Sequence, residues 1–322
     1  MSTNRAKVGF IGLGNVGGKL AGSLLRNHFE LEVYDLSTEA MAPLLAGGAA
    51  RAESPKTMAR ACGVIITCLP SPKASDAVMH GPDGILAGLS AGKLWMEMST
   101  TDEGEVQRLG AEVMAKGAMP IDCPVSGGCH RAATGNIAIF AGCERDVFER
   151  ALPLLTTMGR RVLHTGPLGS ASVLKVVTNY LATANLVSLC EALVTAKLAG
   201  MDLNTTYEAI RISSGNSFVH ETESQVILNG SRDINFTMDL VRKDIGLFQA
   251  IAERVDAPLE LSPVLIDIFA DGAKRYGDRE WSPNIVRRLE DACGVPILAP
   301  GFPAEIVDDE PEAPGYEVTV RR

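Results

Sequence analysis

Val8-Gly-Phe-Ile-Gly12-Leu13-Gly14-Asn15-Val16-Gly17, followed by Leu31-Glu-Val-Tyr-Asp35, decides the fold of this 322-residue chain. An apolar run ends in a G-x-G-x-x-G turn. A helix-patterned stretch follows over residues 16–26, and a second apolar run ends in an acidic residue. The three glycines have separate uses: a tight turn, close approach of the backbone to a pyrophosphate, and close packing of a helix on a strand. The helix that opens there offers unpaired N–H groups and a partial positive charge to such an anion. Gly12, Leu13, Gly14, Asn15 and Val16 are therefore the candidate phosphate loop. Asp35 stands about 20 residues on, where a carboxylate accepts from the adenosine ribose hydroxyls. That carboxylate repels a 2′-phosphate, and Leu36 rather than an arginine follows it, so the pattern selects NAD over NADP.

The alternation continues beyond this first unit. A short helix is predicted over residues 38–45, and GVIITCLP, KLWMEMST, MPIDCPV, NIAIFAG and RVLHTG read as strands up to residue 166. Continuous apolar runs of this kind mark parallel strands buried on both faces. The fold class is α/β, with residues 1–167 forming a doubly wound, mostly parallel sheet with helices on both faces. At Gly166-Pro167-Leu168-Gly169 the rhythm changes. Apolar positions recur at helical spacing over residues 171–198, which predicts one long helix, and further helices are predicted over 205–213, 217–228, 238–254 and 263–276. Residues 168–289 thus read as an all-α domain. From residue 290 to 322 the chain is proline-rich and acidic and reads as an extended tail.

Composition narrows the partners. Hydrophobic residues make up 46% and charged residues 21%, an ordinary globular balance. A net charge of −9 argues against a nucleic-acid partner, since phosphate binding is driven by clustered Lys and Arg. Seven cysteines without a CxxC pair fit neither a disulfide scaffold nor a zinc ribbon and suit a reducing cytoplasm. The N-terminal residues enter a strand pattern without a signal-peptide core, and no uninterrupted apolar run reaches the roughly 20 residues of a membrane helix. Neither a membrane nor a metal is expected: Cys123, Cys129 and His130 lie close in sequence, but no second ligand pair accompanies them.

Two further patterns carry possible chemistry. Asp122-Cys-Pro-Val-Ser126-Gly127-Gly128 closes a strand with a second glycine turn. Successive amides after a serine suit a carboxylate, and the same residues serve equally well as a plain strand-ending turn. Lys175 and Asn179 stand four residues apart and share a helix face. A buried lysine can accept the proton of an alcohol as hydride departs, whereas spacing alone fits a solvated lysine better. The apolar flank of Val173, Leu174, Val176, Val177 and Leu181 favours burial.

GFIGLGNVG at 9–17, DCPVSGG at 122–128 with Ala132 and Gly135, Gly169 followed by Lys175 and Asn179, and Phe236, Leu240 and Lys243-Asp244 fall in one order. Together, over residues 6–289, they resemble the β-hydroxyacid dehydrogenase family of 3-hydroxyisobutyrate dehydrogenase-like enzymes. The resemblance implies a Rossmann domain joined through a long helix to an all-α domain, in a homodimer or homotetramer. It implies hydride transfer between NAD and a small hydroxy acid or its semialdehyde. It places Leu69, Pro70 and Thr100 against the cofactor, Ser126, Gly127 and Gly128 on the substrate carboxylate, Lys243 near the nicotinamide and Phe236 near the site. Lys175 would be the general acid/base and Asn179 its companion. Ala171 replaces a family glycine, Thr178 replaces a frequent asparagine, and His130 and Arg131 stand where small residues are usual. Arg131 would either read an anionic group of the substrate with its planar fork or pair with an acidic neighbour on the surface. An imine reductase of the same architecture is the alternative, against which Lys175 argues, because an iminium is reduced without removing an alcohol proton. A non-catalytic NAD or metabolite sensor is disfavoured by the full set of catalytic positions.

Overall fold

A computed structural model describes residues 7–321. The chain divides into two units, one built from residues up to 175 and from 308 onward, the other from residues 176–307. In the first, β1 (Val8–Ile11), β2 (Leu31–Tyr34) and a short β3 (Ala50–Arg51) are linked by α1 (Gly17–Arg26) and α2 (Thr38–Ala46). The alternation runs on through α3 (Pro55–Ala61), β4 (Val64–Thr67), α4 (Pro72–His80), β5 (Leu94–Glu97), α5 (Glu103–Ala115) and β6 (Met119–Asp122). It ends with β7 (Val125–Ser126), α6 (Gly128–Thr134), β8 (Ala138–Gly142), α7 (Arg145–Met158) and β9 (Arg161–Gly166). The second unit holds most of α8 (Ser170–Leu198), then α9 (Leu203–Arg211), α10 (Phe218–Asn229), α11 (Met238–Arg254), α12 (Leu261–Tyr276) and α13 (Arg287–Cys293). A last strand, β10 (Tyr316–Glu317), belongs to the first unit again.

The strand order is β3-β2-β1-β4-β5-β6-β8-β9-β10, with β7 paired to β8. All ladders are parallel except where β8 meets β6 and β7. Alternate residues of each inner strand serve opposite cores, which is why the strands read as unbroken apolar runs. Phe10, Ile66 and Ile121 pack with Leu20, Leu24 and Phe148 on one face. Ile65 and Trp95 pack with Met58, Met79 and Leu109 on the other. Helix starts are set by side chains: Ser54, Ser71 and Asp102 each accept from the N–H three residues on. β1 lies between β2 and β4, so the connections leave the sheet in opposite directions there and open a crevice at the carboxyl ends of β1 and β4.

Two segments depart from the sequence reading. MPIDCPV reads as one strand, but the chain leaves β6 after Asp122, and β7 turns to pair antiparallel with β8, Ser126 opposite Ala138. Pro124 lies at the break; lacking an N–H, it contributes only its carbonyl, which accepts from Phe140 N at 3.0 Å. The stretch read as an extended tail from residue 290 begins inside α13 and ends on the sheet. Gly315 N donates to Thr156 O at 3.0 Å, and Val318 N donates to Val162 O at 2.7 Å, so β10 covers the exposed edge of β9.

In the second unit Leu186, Leu193, Ile227, Ile245, Leu265 and Phe269 form the core. By length and a mean hydropathy of 1.3, α8 reaches across a membrane on paper. Its polar residues, Lys175, Asn179, Asn185 and Glu191, are what interrupt the apolar run in sequence, and its residues from Leu186 to Val194 supply the helical core. On α10 the half-buried Glu223 holds Oε2 out of water with no hydrogen-bond partner among the described residues. Burial pushes this carboxyl up to about 8. The folded state therefore keeps a proton that the unfolded chain loses near about 4.3, so stability falls as pH rises between these values. Glu223→Gln is expected to flatten that decline in urea midpoints measured from about pH 5 to 8; an unchanged slope would show that the carboxyl ionises without cost.

Candidate active site

The phosphate loop lies between β1 and α1, and its glycines are required for three different reasons. Gly12 has φ +90°, and a Cβ there would run into the Cys68 carbonyl. At Gly17 a Cβ would collide with the Gly12 carbonyl, so the helix could not start so close to the strand. Around Gly14 the space is open, with nothing within 4 Å of where a Cβ would project. The two tight glycines shape the loop, and the open one leaves its backbone accessible, the combination a pyrophosphate needs. Gly14 and Asn15 are exposed, Val16 is half-buried, and Leu13 turns its side chain into the core at 4% exposure.

Asp35 follows β2 and is already organised. Its Oδ2 accepts from Leu13 N at 2.6 Å and its Oδ1 from Ser37 N at 2.8 Å. One carboxylate thus ties the phosphate loop to the end of β2. On the other side of β1, Cys68 N donates to Ile11 O at 2.9 Å, which lays the Leu69-Pro70 loop beside the phosphate loop. Leu69 N donates to Ser99 Oγ at 2.7 Å, and the Ser99 hydroxyl donates to Glu97 Oε1, which also accepts from Ser99 N at 2.9 Å. Glu97 is buried, and burial pushes its carboxyl up. Sequence reasoning missed Glu97 and Ser99 as the support of this loop; the polar Glu inside the apolar run LWMEM was the available signal. Thr100 follows Ser99 and is half-buried.

The second glycine turn joins β7 to α6. Gly127 and Gly128 have φ +125° and +86°, conformations that only glycine adopts without strain. Ser126 is held in register by the β7–β8 ladder. The His130 ring sits beside Gly128, where a Cβ would meet it at 2.6 Å, and burial pushes its imidazole down, keeping it neutral at neutral pH. Arg131 is half-buried, and its guanidinium is among the charges acting on Asp308. The Cys123 thiol is pushed well up by burial in apolar surroundings, so it is an inert core residue.

Lys175 lies in the second turn of α8 and is 8% exposed. What fixes that helix start is Asp122, at the end of β6. Its Oδ1 accepts from Gly169 N at 2.8 Å, and its Oδ2 accepts from Ser172 N at 2.8 Å and Ser172 Oγ at 3.0 Å. Burial pushes the Asp122 carboxyl up, opposed by these three donors. A distant residue thus caps the helix that carries Lys175, one no local helix signal could name. In the helical unit, Asn179 Nδ2 donates to Asp244 Oδ2 at 2.5 Å, and Lys243 Nζ donates to Asp244 Oδ1 at 2.6 Å. Asp244, 2% exposed, therefore orients both polar residues. Like Glu97, Ser99 and Asp122, it is a residue that sequence reasoning left without a role. Phe236 is half-buried before α11 and packs partly on the helical core.

A glycine-lined crevice at the switch point, an ordered carboxylate at the end of the second strand and a buried lysine are the features of a dinucleotide-binding oxidoreductase. The family described as the NAD binding domain of 6-phosphogluconate dehydrogenase matches residues 7–166. That described as NAD-binding of NADP-dependent 3-hydroxyisobutyrate dehydrogenase matches residues 169–289. The 2-(hydroxymethyl)glutarate dehydrogenase of Eubacterium barkeri is 32% identical over 292 residues, covering 90% of this chain and 97% of that protein. The NAD-dependent L-serine dehydrogenase of Pseudomonas aeruginosa is 31% identical over 293 residues, covering 88% and 98%. The crystal structure of 3-hydroxyisobutyrate dehydrogenase from Salmonella typhimurium superposes with a TM-score of 0.80 at 26% identity, over 88% of this chain and 99% of that one. The chain belongs to the β-hydroxyacid dehydrogenases of the 3-hydroxyisobutyrate dehydrogenase type.

Asp122→Ala strands three buried donors, each costing about 1–3 kcal/mol. It is expected to lower the urea midpoint markedly and to lose turnover beyond the loss of folded protein; full specific activity would show that Lys175 needs no such cap. Asp35→Ala is expected to weaken NAD and narrow the preference over NADP, read as the ratio of the two kcat/KM values. An unchanged ratio would assign ribose reading to another residue.

Proposed function

We propose that this enzyme interconverts a small 3-hydroxy acid and its semialdehyde with NAD as cofactor, and that Lys175 handles the proton. The observation that carries this reading is the burial of Lys175 on an apolar helix whose start Asp122 fixes. Bound NAD supplies the hydride acceptor or donor. The Lys175 amine receives the hydroxyl proton in one direction and returns it in the other. Asn179, four residues on along the same helix face, holds the reacting oxygen, its amide aimed by Asp244. The amides of Gly127 and Gly128 and the Ser126 hydroxyl take the substrate carboxylate. Leu69, Pro70 and Thr100 bound the cofactor, and Lys243 and Phe236 serve the nicotinamide end.

The same reading puts the enzyme in a reducing cytoplasm, supported by seven cysteines that are all free. It makes the enzyme a homo-oligomer, supported by Leu174 and Leu181, which are exposed seven residues apart on α8. Its small-molecule substrate is its partner; a net charge of −9 speaks against nucleic acid.

The test is a panel of short hydroxy acids, including 3-hydroxyisobutyrate, 3-hydroxypropionate, serine, glycerate and a dicarboxylate, mixed with protein and NAD while NADH absorbance is followed. Turnover of at least one 3-hydroxy acid is expected, and silence across the panel would sink the reading. On the best substrate, Lys175→Ala should lower kcat by about 10²–10⁴-fold with NAD binding intact. A near-normal kcat in that variant would take the proton away from Lys175.

A further inference from the structure

The tail that rejoins the first unit does more than cover a strand edge. Asp308 Oδ2 accepts from the Thr134 hydroxyl and, at 2.8 Å, from Asn136 Nδ2; the same Asn136 amide donates to Glu310 O at 2.8 Å. Asn136 is 2% exposed, and its backbone N–H donates to Arg131 O at 2.8 Å, closing α6. The tail thus holds a buried side chain at the very end of that helix. Further along, Glu312 accepts from Asn27 Nδ2 at 3.2 Å and Arg26 Nε at 3.4 Å, while Arg26 Nη2 donates to Ala133 O at 2.8 Å. Tail, α6 and the last turn of α1 form one hydrogen-bonded unit. The matched family segment ends at residue 289, so these contacts come from chain beyond it.

Gly127 and Gly128 have no side chains to hold their positive-φ conformation, and glycine loses more conformational freedom on ordering than any other residue. The turn is therefore defined by what anchors its two ends. One anchor is the pairing of Ser126 with Ala138. The other is the grip on residues 134–136. We infer that Asp308 is a positioning residue that fixes α6 and, through it, the Ser126–Gly128 turn in the conformation that receives the substrate carboxylate, a role that rests on the function proposed for that turn. Burial pushes the Asp308 carboxyl up, but the donors Thr134 and Asn136 outweigh it and hold it below the usual carboxylate range, as befits a charged anchor.

The experiment compares full-length wild type with Asp308→Ala and the milder Asp308→Asn. Amide hydrogen exchange without ligand should speed up about tenfold or more over residues 127–136 in Asp308→Ala, with the first turns of α8 unchanged. Unchanged exchange over α6 overturns the inference. In steady-state kinetics on the best hydroxy acid, KM should rise about fivefold or more while kcat and the Kd for NAD stay near wild type, with Asp308→Asn between the two. A KM that does not move, or an equal loss of NAD affinity, also overturns it, since a tail that merely stabilised the fold would weaken both ligands or neither. Should Asp308→Ala fail to fold, Asp308→Asn carries both readouts. If wild type turns over no hydroxy acid, the proposed function falls, and hydrogen exchange still decides whether Asp308 orders the turn.

Discussion

A single buried carboxylate holds the chemistry together. Asp122 ends a central strand and accepts three hydrogen bonds from the first turn of the long helix. Helix starts leave backbone N–H groups without partners, and an anion placed there satisfies them and complements the helix dipole. Because Asp122 is also the residue from which the chain departs toward Ser126, its position relates the Ser126–Gly128 turn to the start of the helix bearing Lys175. Gly142 is confined for the same reason, as a Cβ there would strike the Asp122 carboxylate.

The same arrangement, a polar side chain at a strand end gripping the backbone of a neighbouring loop, recurs across the sheet. Asp35 at the end of β2 holds Leu13, and Glu97 at the end of β5 holds Leu69 through Ser99. Asp244 does the analogous work for Asn179 and Lys243 in the helical unit. Asp122, Asp35 and Asp244 meet donors on both oxygens, which compensates them locally, whereas Glu97 takes both Ser99 donors on Oε1 and leaves Oε2 without a partner among the described residues. Loops that must approach a ligand closely cannot rely on bulky side chains for rigidity, and these supporting acids supply it instead.

The acidic stretch after α13 extends the scheme to the end of α6, the helix that follows the Gly127–Gly128 turn. A proline-rich acidic stretch cannot build its own core, but it can lie along an existing edge and place carboxylates against side-chain donors at the ends of helices. Asp308 and Glu312 do so at α6 and α1, and Glu310 between them adds its backbone carbonyl, all within a span of five residues. Their acidity, which in composition looks like solvation, is used in contact.

The sequence by itself determined the alternation of strands and helices, because strands buried on both faces must be continuously apolar and helices must carry a 3.6-residue period. It also determined the phosphate loop and Asp35, whose spacing is a local property of one βαβ unit, and it marked Lys175 through its apolar neighbours. The tertiary structure alone decided that Lys175 is buried, since burial depends on what packs around a helix. It alone revealed Asp122, Glu97 and Asp244 as supports, because their partners lie 30 to 65 residues away in the chain or act through an intermediate serine. It split MPIDCPV into two strands through the nearby pairing of β7 with β8, and it folded the tail back onto β9, a pairing between segments more than 150 residues apart. Local pattern reports what a segment can form; which acid meets which donor is settled only when distant segments share a core.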